Sequence, residues 1–174
     1  YGQGAALLLA AIANGAEWRE LSPRLFGSGS YGNGAAMRAA PIGAYYSGDP
    51  ERAAAEAQLS AVVTHAHPEG RAGAMGVAVA AALSSGADCP SGRAFIATVA
   101  DHISEGLTRD RLQHAVDISK DRLADAILEL GTGYEVSAQD TVPFCVWVAA
   151  HHLDDYEAAL WVTAAGLGDC DTTC

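Results

Sequence analysis

Asp169, Asp171 and Thr172 stand close together in "GDCDTT" and offer three oxygen donors. Hard donors at this spacing select Mg²⁺, Mn²⁺ or Ca²⁺ over zinc. An EF-hand loop counted from Asp169 would need glycine at its sixth position and glutamate at its twelfth; the sixth is Cys174, which excludes it. Two other chemistries compete. A thiol site on Cys170 and Cys174 would have acidic neighbours, which do not favour a thiolate. A plain helix start, with Asp169 or Asp171 as N-cap, needs no ligand at all. Spacing alone leaves metal and cap open.

A second stretch, "GSGSYGNG" at residues 27–34, could hold an anion. Its first part formally matches G-x-G-x-x-G, but that fingerprint requires a strand before it and a βαβ unit around it. "RELSPRLF" precedes it here, with a proline and no β-branched run. A helix starting at Ala35 would instead turn free N–H groups toward the loop, which suits phosphate. Ser30 and Tyr31 add hydroxyls, and Tyr31 adds a flat face. The competing reading is a turn whose glycines only redirect the chain. In "THAHPEG", His65 and His67 are expected at a helix C-terminus, where cations are favoured without any ligand. Neither this pair nor His151 and His152, one of which is expected buried, has the third ligand that zinc requires.

These residues need helices to place them. Helical patterning covers 1–14, closed by Asn14 and Gly15. It resumes over 35–46 with an interruption at Pro41, and over 50–64, where Asp49-Pro50 gives a start signal. Further segments are 71–83, 95–105, 109–130, 142–153 and 154–168, with Asp154 and Asp155 at the start of the last. Residues 131–141 read as loop. No alternating β-branched pair of runs and no fixed repeat is present. The expected fold is all-α, a compact orthogonal helical bundle forming a single domain over 1–174.

Composition agrees. Of 174 residues, 50% are hydrophobic and only 7% aromatic, a balance that favours helices packed through alanine. The net charge of −11 argues against general nucleic-acid binding, because phosphate neutralisation needs clustered Lys and Arg. The longest apolar run, "AALLLAAIA", is far below the ~20 residues of a membrane span. Four scattered cysteines suggest reduced thiols and a cytoplasmic location.

In order along the chain, "GSYGNGAAMRAAPIG", "THAHP", "DTVPFCVWVA" and "GDCDTT" resemble the ADP-ribosylglycohydrolase family over nearly the whole length. The resemblance implies an all-α enzyme that uses two Mg²⁺ ions, or Mn²⁺, to hydrolyse an N- or O-glycosidic bond to ADP-ribose. The substrates it implies are ADP-ribosylated proteins or small molecules. It places metal ligands at Asp169, Asp171 and Thr172, with the two aspartates catalytic. It places ligand contacts at Ser30, Tyr31, Gly32, Asn33 and His65, and lets Met37 and Arg38 brace the loop. The family's other metal motif, T-D-D-T, is not found. The expectation is therefore a chain truncated at both ends, holding half of a binuclear site. A structural, crystallin-like or ADP-ribose-binding relative is the alternative.

Overall fold

The computed structural model describes residues 2–174. The predicted helix 1–14 begins at Tyr1, which lies outside the described residues; α1 runs Gln3–Ala13 and ends where Gly15 takes φ +89°. Then follow α2 (Trp18–Leu21), a 3-10 turn (Ser22–Gly27), a second 3-10 turn (Asn33–Ala35), α3 (Ala40–Tyr45), α4 (Pro50–Val62) and α5 (Pro68–Ser85). The rest is α6 (Gly92–Asp101), α7 (Leu107–Ala115), α8 (Leu123–Leu130), α9 (Ala138–His151), α10 (Tyr156–Ala165) and α11 (Cys170–Thr173). Among the described residues there is no strand, only one antiparallel bridge between Gly32 and Ser137. The fold is all-α.

The centre is built on α5 and α9, which pack against each other and gather α3, α4, α6, α7, α8, α10 and α11, while α1 and α2 pack on each other and on the first 3-10 turn. Small residues on both faces of α5 set the spacing. On one face Ala74, Ala78 and Ala82 meet Ala35, Ala39, Ala53, Ala57 and Ala61 in a seam whose buried hydrophobic residues are all alanine. There a Cβ on Gly43 would collide with the Ala78 carbonyl, so α3 lies directly on the α5 backbone. On the other face Gly73 meets Ala138, where a Cβ would come within 2.7 Å of the alanine methyl. Beyond it lies a core of large side chains, with Phe95, Phe144, Leu112 and Trp147 all fully buried. The indole of Trp147 donates to the Ile118 carbonyl at 2.9 Å, so its polar edge is satisfied in the interior.

Four sequence expectations are corrected. The continuous helix over 109–130 is two helices, α7 and α8. Ile118 is buried between them, its N–H bonded only three residues back to Ala115 and its carbonyl accepting from Trp147. Second, α5 starts at Pro68 rather than residue 71, because His67 caps it: its Nδ1 accepts from the Glu69 N–H at 3.1 Å. Third, the helix expected from Ala35 is a three-residue 3-10 turn, and α3 begins only at Ala40. Fourth, α9 begins at Ala138, so residues 138–141 are helical rather than loop. This puts Pro143 in a helix interior, where it leaves the carbonyl four residues back without a donor. Arg111 supplies one, donating Nη1–H to the Gln139 carbonyl at 2.7 Å.

Candidate functional site

A cleft of about 660 Å³ lies between the glycine loop and the last residues of the chain, of a size suited to a small organic ligand. One wall is the loop with the α4–α5 turn. Ser30, Gly32, Asn33, Gly34, Met37, Arg38, Thr64 and His65 line it. Its glycines answer to packing. Gly29, at φ +89°, would place a Cβ 2.6 Å from the His67 nitrogen, and Gly34 faces the His65 ring at 3.2 Å. The loop also pairs with the segment before α9: Asn33 N–H donates to the Val136 carbonyl at 3.2 Å and Ala138 N–H to the Tyr31 carbonyl at 2.9 Å.

Arg38 binds this wall together. Its guanidinium donates to the carbonyls of Gly34 (3.3 Å) and Ser60 (3.2 Å) and to the Thr64 hydroxyl (2.8 Å). The Thr64 hydroxyl lies 2.7 Å from His65 Nδ1, and because its oxygen already accepts from Arg38 we assign its proton to that nitrogen. That assignment leaves the second ring nitrogen, Nε2, as an N–H donor on the side of Gly32 and Gly34. Burial, reinforced by the Arg38 charge, lowers the His65 pKa to about 4, so the ring is neutral at pH 7.

The opposite wall is Asp169, Asp171 and Thr172 at the start of α11. Asp169 occupies the N-cap position, yet its side chain makes no capping bond. Its Oδ2 instead accepts from Asn33 Nδ2 at 2.7 Å across the cleft. Burial works against its ionisation, but contacts with Asn33, Asp171 and Thr172 outweigh this and hold its pKa below the usual carboxylate value. Thr173 spends its hydroxyl on the Asp169 carbonyl at 3.0 Å, whereas Thr172 faces the cleft. Behind this wall, Asp169 N–H donates to the Thr132 carbonyl at 3.3 Å. Gly168 is required there, since a Cβ would collide with that carbonyl.

Of the residues singled out in the sequence, Ser30, Gly32, Asn33, His65, Asp169, Asp171 and Thr172 all line this cleft. Tyr31 does not. Its ring stands edge-on to His67 with centroids 5.3 Å apart, at the outside of the loop. His67 is committed to capping α5. The pair His151 and His152 is half-buried on both members, not one buried and one exposed. The cysteines are free thiols, and burial, with Cys174 adding to it, raises the Cys145 pKa to about 12.

Several contributors were not singled out in the sequence: Gly2 and the α1 residues Gly4 and Ala5, which line the cleft, then Val136, and Thr141 beneath Asn33. Val136 is β-branched and sits at φ +54°, an uncommon backbone state for such a side chain. Only the "DTVPFC" block hinted at Thr141, and nothing in its spacing linked it to Asn33.

The donor set can be tested against a divalent cation. Among the described residues no group of three or more His, Cys, Asp or Glu could hold a metal. Two carboxylates and a hydroxyl do match Mg²⁺, which binds through one or two carboxylates and completes its shell with water and ligand oxygens. They do not match zinc. Also among the described residues, no helix is long and apolar enough to cross a membrane.

Compared with known families, residues 1–174, the whole chain, match the ADP-ribosylglycohydrolase model. No curated protein matches the chain.

Proposed function

The chain belongs to the ADP-ribosylglycohydrolase family, and we propose that it binds ADP-ribose in the cleft between its two walls and serves Mg²⁺-dependent hydrolysis of the glycosidic bond to ADP-ribose. The family implies a hydrolase acting on ADP-ribosylated substrates. The observation that carries the finer reading is the Asp169 carboxylate. It forgoes its helix cap and is held ionised in the cleft, beside Asp171 and Thr172.

In this reading Asp169, Asp171 and Thr172 hold the cation, Mg²⁺ or Mn²⁺. Bound there, it supplies positive charge that orients the terminal ribose and acidifies a water. The loop wall binds the remainder of the ligand. Ser30 Oγ accepts from Gly32 N–H at 3.3 Å, which leaves its own proton for a phosphate oxygen. His65 offers Nε2–H to the same kind of acceptor without adding charge. Asn33 has both its backbone N–H and its amide nitrogen committed within the protein, so its contact with ligand is through Oδ1, which accepts from a ribose hydroxyl. Tyr31 takes a place at the rim, where a ring face could meet a base only after leaving His67. Holding both ends of the ligand is itself a source of rate, because it fixes the reacting carbon against the water.

The test is calorimetric titration of ADP-ribose with and without Mg²⁺, alongside Asp171→Asn. Asp171 is exposed, so its loss leaves the fold intact. Metal-dependent binding should fall by roughly 100-fold or more, beyond the 10–100-fold of an outer-shell change. Equal binding in EDTA would sink the metal assignment. The small donor set favours one second reading, a binder of ADP-ribose without turnover. Metal-dependent binding with no release of ADP-ribose from arginine, serine or O-acetyl adducts would select it.

A further inference from the structure

Building on that reading of the cleft, we infer that Thr141 is a positioning residue, whose hydroxyl holds one Asn33 amide proton and so aims the other at Asp169. Asn33 Nδ2 lies 3.1 Å from Thr141 Oγ1 and 2.7 Å from Asp169 Oδ2. One NH₂ group thus serves two acceptors. Its two protons point 120° apart in the amide plane, so fixing one fixes the other. Asn33 and Thr141 are both buried, and Thr141 is anchored in α9, where its N–H donates to the Ser137 carbonyl at 3.0 Å. Asp169 by contrast is the N-cap of a helix only four residues long. The orientation of a carboxylate on a short terminal element is therefore set from the central helix of the core, through a single carboxamide.

The hydroxyl is the part of Thr141 that matters. The torsion that turns an Asn carboxamide is broad, so the side chain alone does not select a plane. Valine at 141 keeps the shape but removes the acceptor, which leaves a buried N–H without a partner. The amide then turns to find one, and Asp169 loses its fixed donor. Serine keeps the acceptor and loses only a methyl group. Outer partners of this kind commonly change metal affinity by about 10–100-fold.

Mn²⁺ is the probe, with its affinity read by electron paramagnetic resonance for wild type, Thr141→Val, Thr141→Ser and the same changes in an Asn33→Ala background. Thr141→Val should bind Mn²⁺ at least about 10-fold more weakly, Thr141→Ser within about 3-fold of wild type, and Thr141→Val should have no further effect once Asn33 is alanine. A role in packing alone would lower Tm but would leave Mn²⁺ affinity of the folded protein unchanged. That result overturns the inference, as does an equal loss in the Asn33→Ala background. A metal-free arm follows solvent exchange of the Asn33 side-chain amide by NMR, expected to be faster in Thr141→Val. If wild type takes no Mn²⁺, the metal reading of the cleft fails, and this arm decides alone. Unchanged exchange in Thr141→Val would then overturn the positioning role.

Discussion

The two walls of the cleft are held in opposite ways. The loop wall is bound from many directions: Arg38 ties three partners, Thr64 orients His65, and backbone bonds join residues 31 and 33 to the segment before α9. The aspartate wall has fewer ties: the Thr132 carbonyl behind it, the Asn33 amide in front, and the Cys145 thiol, which donates to the Thr173 carbonyl at 3.5 Å. Leu167, just before it, takes φ +55° and is exposed. Redundancy makes the first wall tolerant of single losses. The second has few contacts, so each one decides where a carboxylate points.

The largest break in this contrast should come from Gly168→Ala. A Cβ there meets a backbone carbonyl that cannot move aside, and overpacking of this kind costs about 1–3 kcal/mol or more. Thermal unfolding should show the loss of stability, and ADP-ribose binding should disappear with the displaced aspartates. Asn33→Ala comes next. It removes both bonds of a buried amide, leaves Thr141 and Asp169 without that partner, and should cost about 1–3 kcal/mol in denaturant titration.

Acidification tests the loop wall. The His65 pKa is lowered from 6.5 to about 4 in the folded protein, so between those values the unfolded chain binds the proton more readily. This contribution to stability is whole above pH 6.5 and declines as pH falls toward 4. A His65→Gln variant should lose less Tm over that interval than wild type; an identical decline would refute the assignment. Arg38→Lys should have the smallest effect, below about 1 kcal/mol, since its bonds are partly exposed and the wall has other ties. Lysine keeps the charge but not the planar fork, so Arg38→Ala should match it closely.

Several local signals are legible in the sequence, although the His67 cap that starts α5 is not. Asp49 caps α4 through Arg52 N–H, Asp155 caps α10 through Ala158 N–H, and Gly15 ends α1. The alanine content anticipated close helix packing, and the cleft gathers residues from "GSYGNG", "THAH" and "GDCDT". Tertiary causes were invisible. Nothing near residue 118 announces that its carbonyl belongs to Trp147, so an unbroken periodic pattern concealed two helices. Residues 138–141 read as loop, and the start of α9 there places Pro143 in an interior position that depends on Arg111, far upstream. Asn33 and Asp169 are 136 positions apart, and no spacing rule links them. "GTG" at 131–133 read as ordinary loop, although Gly133 lies against Asp169 and Thr132 supports it.

Trp147 carries a consequence for how these experiments can be read. Its indole is sealed in the interior and hydrogen-bonded, whereas Trp161 is 70% exposed. Excitation therefore yields a blue-shifted component from Trp147 beside the emission of half-buried Trp18 and of water-exposed Trp161. Detachment of the final helix would leave the blue component in place, while collapse of the whole bundle would abolish it. The protein thus contains its own optical means of telling a displaced carboxylate from a lost fold.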